Sequence, residues 1–153
     1  MSTPIISPEA LQAIYAHARR DYPKECCGIV FGPKTEPAAN RAQACVNIQD
    51  DLHAEDPVQF PRDGHTAYNF DAADIFKLQK SLRGDEPAKI ISHSHPNVGA
   101  YFSDTDQAAA RMGDEPAYPV DYLVVDVQAD GVRESVQFAW SDAQRLYVEV
   151  RRY

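Results

Sequence analysis

The sequence predicts a layered domain of the α/β or α+β class, a mixed β-sheet flanked by helices, on three observations. Segments with helical and strand patterning follow one another as helix, strands, helix, strand, helix, strands. The apolar, β-branched run Ala88 to Ser92 reads as a buried strand and leads through a loop to a capped helix. Two further strand patterns near the end are separated by Asp130-Gly131, a hairpin signal. The chain has 153 residues, enough for one domain with a sizeable core, so a single domain over 1–153 is expected.

Each element has its own local reason. Ser7-Pro8-Glu9 supplies a cap, a first-turn proline and an early acid. Leu11, Ile14, Tyr15 and Ala18 then share one face, which predicts a helix to about Arg20. Cys27 to Phe31 is a strand stopped by Gly32-Pro33, and Ala42 to Ile48 is another. Gln49 to Thr66 is acidic, contains proline and has no period, so it is expected to be a long loop. Asn69-Phe70 is a short extended piece. Asp71 to Leu82 is a helix, with Ile75, Leu78 and Leu82 on one side and Gly84 past its end. Ser103 is an N-cap for a helix over Asp104 to Met112 that Gly113 ends. Val120 to Val127 and Val132 to Trp140 are the hairpin strands. Arg145 to Val150 adds a strand or short helix. No internal repeat or low-complexity tract is present.

The chemistry concentrates in Ser92-His93-Ser94-His95-Pro96 and in Ser103-Asp104-Thr105-Asp106. On a strand, residues two apart point to the same face, so His93 and His95 project together. Asp106 stands in the first turn of the following helix, and a helix start set near the strand end brings its carboxylate beside the two rings. Two histidines and one aspartate are three protein ligands for zinc, with a fourth position left for water. Asp104 is the competing carboxylate, one residue past the cap and expected to face solvent. Ser-x-x-Asp is also an ordinary capping pattern, and acids are generally favoured in a first turn, so these residues alone admit both readings. Glu25, after Pro23-Lys24, reads on its own as a solvated loop acid.

Together these residues resemble the JAMM motif of the MPN+ metalloproteases. That motif is His-x-His-Pro, six residues, then Ser-x-x-Asp, and here Asn97 to Phe102 are the six. Glu25-Cys26-Cys27-Gly28, followed by an apolar strand, resembles the family's upstream Glu-x-Cys-Gly. The resemblance implies a fold like that of the cytidine deaminases. It implies zinc held by His93, His95 and Asp106, Glu25 as general base and Ser103 as a donor to the oxyanion. It also implies a substrate class. Short bacterial members resemble enzymes that cleave after the C-terminal Gly-Gly of a ubiquitin-like sulfur-carrier protein, some releasing an added cysteine. Phe102 departs from the proline common before the motif serine in bacterial members, and is expected to alter the loop and the pocket wall rather than the ligands.

Composition narrows the alternatives. A net charge of −8 argues against nucleic acid, whose phosphates need a basic face. No run approaches the ~20 apolar residues of a membrane span. The start Met1-Ser2-Thr3-Pro4-Ile5-Ile6-Ser7 lacks the basic and apolar regions of a signal peptide, so a cytoplasmic protein is expected. Three cysteines make no disulfide framework; Cys27 and Cys45 read as small core residues, while Cys26 is open to a nucleophile or fourth-ligand role. His17 is expected to be structural or exposed, and His53 and His65 solvated. The competing function is a non-catalytic MPN-type scaffold or binding module for a ubiquitin-like protein, which typically loses ligands; all five motif residues are present here. A cupin expects a glutamate a few residues downstream within β structure, whereas none occurs here before Glu115 and the chain turns helical. A TIM-barrel hydrolase needs ~250 residues.

Overall fold

In the computed structural model, which describes residues 3–153, Ser7 starts helix α1 (Pro8–Asp21) by accepting a hydrogen bond from the Ala10 N–H at 3.1 Å. Strands β1 (Cys27–Phe31) and β2 (Arg41–Cys45) follow, then the short helix α2 (Gln49–Glu55) and helix α3 (Ala72–Ser81). The histidine strand β3 (Ala88–Pro96) leads to helix α4 (Asp104–Ala110). A two-stranded ribbon comes next, β4 (Arg111–Met112) with β5 (Glu115–Pro116). Three long strands close the chain: β6 (Asp121–Gln128), β7 (Gly131–Ser141) and β8 (Leu146–Arg152).

The six-stranded sheet runs β2-β1-β3-β6-β7-β8. Only β3 and β6 pair in parallel, with α4 and the small ribbon between them in sequence. The remaining pairs are antiparallel, so the sheet is mixed, as the element order predicts.

Alternation along the strands sorts the core into two layers. Against α1 pack Cys26, Val30, Ile90, Leu123, Val125 and Val127, with Ile14 and Ala18 from the helix. On the other face lie Cys27, Ile29, Phe31, Ile91, Val124 and Phe138, covered by Leu78 of α3 and Ala110 of α4. Complete burial of an aliphatic side chain of this size contributes roughly 1.5–3 kcal/mol. His93 and His95 share the parity of Ile91 and therefore face α3 and α4, not α1.

The α1 face also carries a buried polar network. Gln137, fully buried, donates from Nε2 to the Pro4 carbonyl at 2.7 Å and to Asp121 Oδ2 at 2.8 Å. Its Oε1 accepts from the Tyr153 hydroxyl at 2.6 Å, and that hydroxyl accepts from the Ile6 N–H at 3.1 Å. Nearby, Tyr15 and Ser135 share a hydroxyl–hydroxyl bond of 2.7 Å. Pro4, Ile6 and Tyr153 are thereby tied to the sheet.

Several expectations need correction. Gln49 to Thr66 is not loop throughout, because its first turns form α2. Its N-cap, Ile48, offers no side-chain bond and its one buried residue is the polar Gln49, so no apolar period marks it. What holds it is side-chain bonding to the segment that follows. Gln49 Nε2 donates to the Arg62 carbonyl, Asp50 Oδ1 accepts from the Gly64 N–H, and His53 Nδ1 meets the Phe60 carbonyl at 2.7 Å. His53 is therefore partnered rather than solvated. Asp50 and Asp51 in its first turn are the one signal that favours a helix start there. The motif helix stops at Ala110 rather than Met112, since Arg111–Met112 pairs with Glu115–Pro116 and Gly113 belongs to the turn between them. Strand β2 ends at Cys45, before Ile48, because the next residues turn to start α2.

Candidate metal centre

Register brings the upstream and downstream motif residues together. Cys27 of β1 pairs with His93 of β3. The strands are antiparallel, so two residues back along β1 corresponds to two forward along β3, and Glu25 falls opposite His95 on the same face. The Ser94 N–H donates to the Cys26 carbonyl at 3.0 Å, and the Cys26 N–H donates to Ser94 Oγ at 2.8 Å, extending the pairing past the strand end. Gly28 is needed here. A Cβ at that position would stand 2.8 Å from the Gln43 carbonyl oxygen on β2, closer than packed atoms allow, and 3.2 Å from Ser92 Oγ on β3, a tight contact.

Asp106 arrives by a different route. Ser103 Oγ accepts from the Asp106 N–H at 3.0 Å, and Asp106 Oδ2 accepts from the Ser103 N–H at 3.0 Å. This reciprocal capping box starts α4 and fixes the aspartate rotamer. The same carboxylate reaches the histidines: Oδ1 lies 3.3 Å from His93 Nε2, and Oδ2 lies 3.3 Å from His95 Nε2. The two Nε2 atoms are 3.2 Å apart. Glu25, His93 and His95 each place one ligand atom within 4.8 Å of the others, and all three are buried. The two imidazoles thus have Asp106 against them at 3.3 Å and Glu25 within 4.8 Å, and it is Glu25 that groups with them as a three-residue metal-capable cluster. Asp104 is exposed, as expected.

The donor set fits a divalent cation. His95 Nδ1 lies 3.1 Å from the Gly99 carbonyl oxygen, which makes that nitrogen the protonated one and leaves Nε2 with its lone pair facing the cluster. Gly99 has φ +95°, so the loop that offers this carbonyl uses a backbone shape glycine adopts readily. Burial pushes the His93 pKa down, against the raising effect of Asp106, so its ring is neutral, the form that ligates metal. His93 Nδ1 is buried and has no hydrogen-bond partner. Burial raises the Asp106 pKa, but its contacts with the His93 and His95 rings outweigh it and hold the group well below the usual carboxylate range. Burial, and then the charge of Asp106, push Glu25 up to about 8, partly countered by Arg62.

These groups sit at the floor of a cleft of about 440 Å³. Ser103, Glu25, His95 and Asp106 line it, while His93 lies behind them under Tyr68, whose ring stacks on it at 4.5 Å and 23°. Tyr101 meets His95 edge-on at 5.1 Å. Phe102 does not form the pocket wall that its position suggested. It turns into the core against Tyr122, Phe138 and Tyr147, where an aromatic of this size anchors the loop from below. Cys26 is no ligand either: it packs on the α1 face, with its thiol pushed up to about 11 by burial. Cys27 and Cys45 lie in the core, as their apolar surroundings predict. His17 is buried and pairs with Asp21 at 3.1 Å, and His65 is exposed beside Asp63.

Sequence reasoning missed Asn47, Arg62, Tyr68 and Tyr101. Asn47 joins the pieces around Glu25. Its Nδ2 donates to the carbonyls of Glu25 and Ala67, and its Oδ1 accepts from the N–H groups of Gln49 and Asn69. Tyr68 is held over His93 by these bonds to its two neighbours. Only the extended reading of Asn69-Phe70 hinted at this, and it appears as a bridge between Asn47 and Phe70.

Comparison with known proteins agrees with this architecture. Residues 7–141 match the family described as prokaryotic homologs of the JAB domain. Over 113 residues, 73% of this chain, the sequence is 30% identical to proteins named CysO-cysteine peptidase from Mycobacterium tuberculosis strain H37Rv and Mycobacterium bovis. The match spans 66% of the length of each of these relatives. A solution structure of protein DSY2949 from Desulfitobacterium hafniense has the same fold, with TM-score 0.65 and 17% identity over 95% of this chain and 88% of that one. A protein from Salinibacter ruber aligns over the same shares with TM-score 0.59 and 19% identity. The chain belongs to the prokaryotic JAB family, and the resemblance carried by Glu25 and by His93 to Asp106 is to that family.

Proposed function

We propose that this JAB-family chain is a zinc metallopeptidase or isopeptidase of the JAMM type. In this reading it hydrolyses the amide bond after the C-terminal Gly-Gly of a ubiquitin-like sulfur-carrier protein. The observation that carries it is the buried grouping of Glu25, His93 and His95 in one cleft, with Asp106 against both imidazoles. The name of the mycobacterial relatives supports the substrate class.

His93, His95 and Asp106 are the proposed zinc holders, and Glu25 is the proposed general base. The two carboxylates differ in what they already do. Asp106 is committed to both histidines and to the Ser103 N–H. The Glu25 carboxyl accepts no hydrogen bond among the described residues, while its backbone is clamped by Gly64 and Asn47. Bound zinc would supply a Lewis acid for the carbonyl and lower the pKa of the attacking water to ~7. Glu25 takes a proton from that water as its oxygen bonds to the carbonyl carbon. It then returns the proton to the amide nitrogen as the C–N bond breaks. Ser103 Oγ accepts from the Asp106 N–H through a lone pair, so its own proton stays free for the developing oxyanion.

Cytoplasmic placement and a single domain over 1–153 are part of the same proposal. Three unpaired thiols suit a reducing compartment, and no helix among the described residues is long and apolar enough to cross a membrane.

The test is metal analysis of the purified protein, paired with an assay on a ubiquitin-like carrier extended by one residue after its Gly-Gly end. The expected result is one zinc per chain and release of the added residue. His93→Ala is expected to lose both. Full zinc retention in a folded His93→Ala variant would overturn the ligand assignment. Absence of cleavage by the zinc-loaded protein would overturn the peptidase reading.

A further inference from the structure

We propose that Arg62 is the docking point for the free α-carboxylate of the residue that leaves, so that the cleft selects chain ends carrying a single residue beyond the scissile bond. This rests on the peptidase reading above and goes beyond it by assigning the leaving-group side of the cleft.

Arg62 is the only lysine or arginine lining the cleft among the described residues. Its side chain is exposed and forms no ion pair among them, unlike Arg145 and Arg152, which pair with Glu115, Glu134 and Glu149. The backbone beneath it is nevertheless fixed. The Arg62 carbonyl accepts from Gln49 Nε2 at 2.7 Å, and two residues on the Gly64 carbonyl accepts from the Glu25 N–H at 2.7 Å. Gly64 is held in turn by Asp50 at 2.8 Å. An unpaired arginine thus lines the same cleft as the base, on a segment wired to that base's own backbone. The opposing pull of Arg62 on the Glu25 pKa is consistent with this proximity.

The geometry of the reaction places the leaving residue on this side. Glu25 gives its proton to the amide nitrogen that departs, so that nitrogen lies against Glu25. In a single leaving residue the carboxyl carbon is two bonds from the nitrogen, about 2.5 Å away by standard backbone dimensions. Each further leaving residue would put the carboxylate up to about 3.3–3.6 Å farther off, and an isopeptide-linked lysine would offer none at this distance. Charge points the same way. The chain carries −8, so an anionic chain end is repelled overall unless a cation meets it. A guanidinium is the side chain suited to gripping a carboxylate through two parallel hydrogen bonds.

The experiment compares two substrates on the zinc-loaded protein: a ubiquitin-like carrier ending Gly-Gly-Cys as the free acid, and the same carrier ending as the C-terminal amide. Wild type is expected to prefer the acid by ~10- to 100-fold in kcat/KM, mainly through KM, the range of a charged hydrogen bond. Arg62→Met is expected to bring that ratio to within about threefold, and Arg62→Lys to restore part of it. Circular dichroism and zinc content on each variant separate loss of the contact from loss of the fold. Equal cleavage of acid and amide by wild type, or an unchanged ratio in folded Arg62→Met, would overturn the Arg62 assignment while leaving the peptidase reading standing. Cleavage of neither substrate by wild type overturns both.

Discussion

On the α1 face of the sheet, Gln137 has its amide nitrogen and oxygen both partnered; on the opposite face, His93 has a buried nitrogen with no partner at all. Both side chains are essentially inaccessible to water. In the Gln137 network donors meet acceptors: the amide with Asp121 and Pro4, the Tyr153 hydroxyl with Gln137, the Ile6 N–H with Tyr153. In the His93 cluster acceptors meet acceptors. Asp106 faces both imidazoles at 3.3 Å, and Glu25 lies within 4.8 Å of them. A satisfied network contributes to the fold and asks for nothing more. A buried polar atom left unmet, as His93 Nδ1 is, costs about 1–3 kcal/mol. On the Nε2 side of the ring, acceptors that face one another are what a bound cation would neutralise.

The difference yields experiments that would break or sharpen it. The largest effect is expected at Glu25. Glu25→Gln should keep zinc and lower kcat roughly 10²–10⁴-fold, because an amide cannot take the water's proton. Near-normal turnover in that variant would reduce Glu25 to another buried polar group. Ser103 belongs to both kinds of chemistry. Ser103→Ala should lower kcat by ~10²–10³-fold through loss of the oxyanion donor, and also cost about 0.5–2 kcal/mol of stability through loss of the cap. Measuring Tm and kcat on the same protein separates the two, and a lower Tm with unchanged kcat removes Ser103 from the mechanism.

The closed network should behave in the opposite way. Gln137→Leu leaves Asp121, Pro4 and Tyr153 without their partner and is expected to cost about 3 kcal/mol in denaturant unfolding, with kcat of the folded protein intact. A loss of turnover without a loss of stability would show that the two faces are coupled. The smallest effect concerns Asp121, which burial pushes up to about 6 against the pull of Gln137 and Arg151. Its folded pKa lies above the ordinary 3.8, so the folded state binds the proton more tightly. That contribution is fully present at low pH and is lost as pH rises from about 4 through 6. Asp121→Asn should therefore be more stable than wild type at pH 7 by about 1–2 kcal/mol, a gain that fades toward pH 4. A variant that is less stable than wild type at pH 7 would mean that the charge of Asp121 serves the fold.

Much of the site is legible in order along the chain. The sequence by itself determined that His93 and His95 share a face, because strand geometry has a period of two. It also determined that Ser103 starts a helix and that Asp106 falls in its first turn, because capping is local chemistry. The helix from Ser7 and the terminal hairpin follow from equally short-range signals.

What tertiary structure decided is which distant segments meet. Glu25 joins the histidines only through the register of Cys27 with His93, and Cys26 bonds Ser94 across 68 residues of sequence. Helix α2 forms because Gln49 and Asp50 find backbone partners near Arg62 and Gly64, and Asn47 then places Tyr68 over His93. These are bonds between polar side chains and backbone groups far along the chain, and any polar residue looks alike in sequence until its partner is in place. Local geometry sets which way a side chain points from its own element, whereas strand register and loop hydrogen bonds set what it points at.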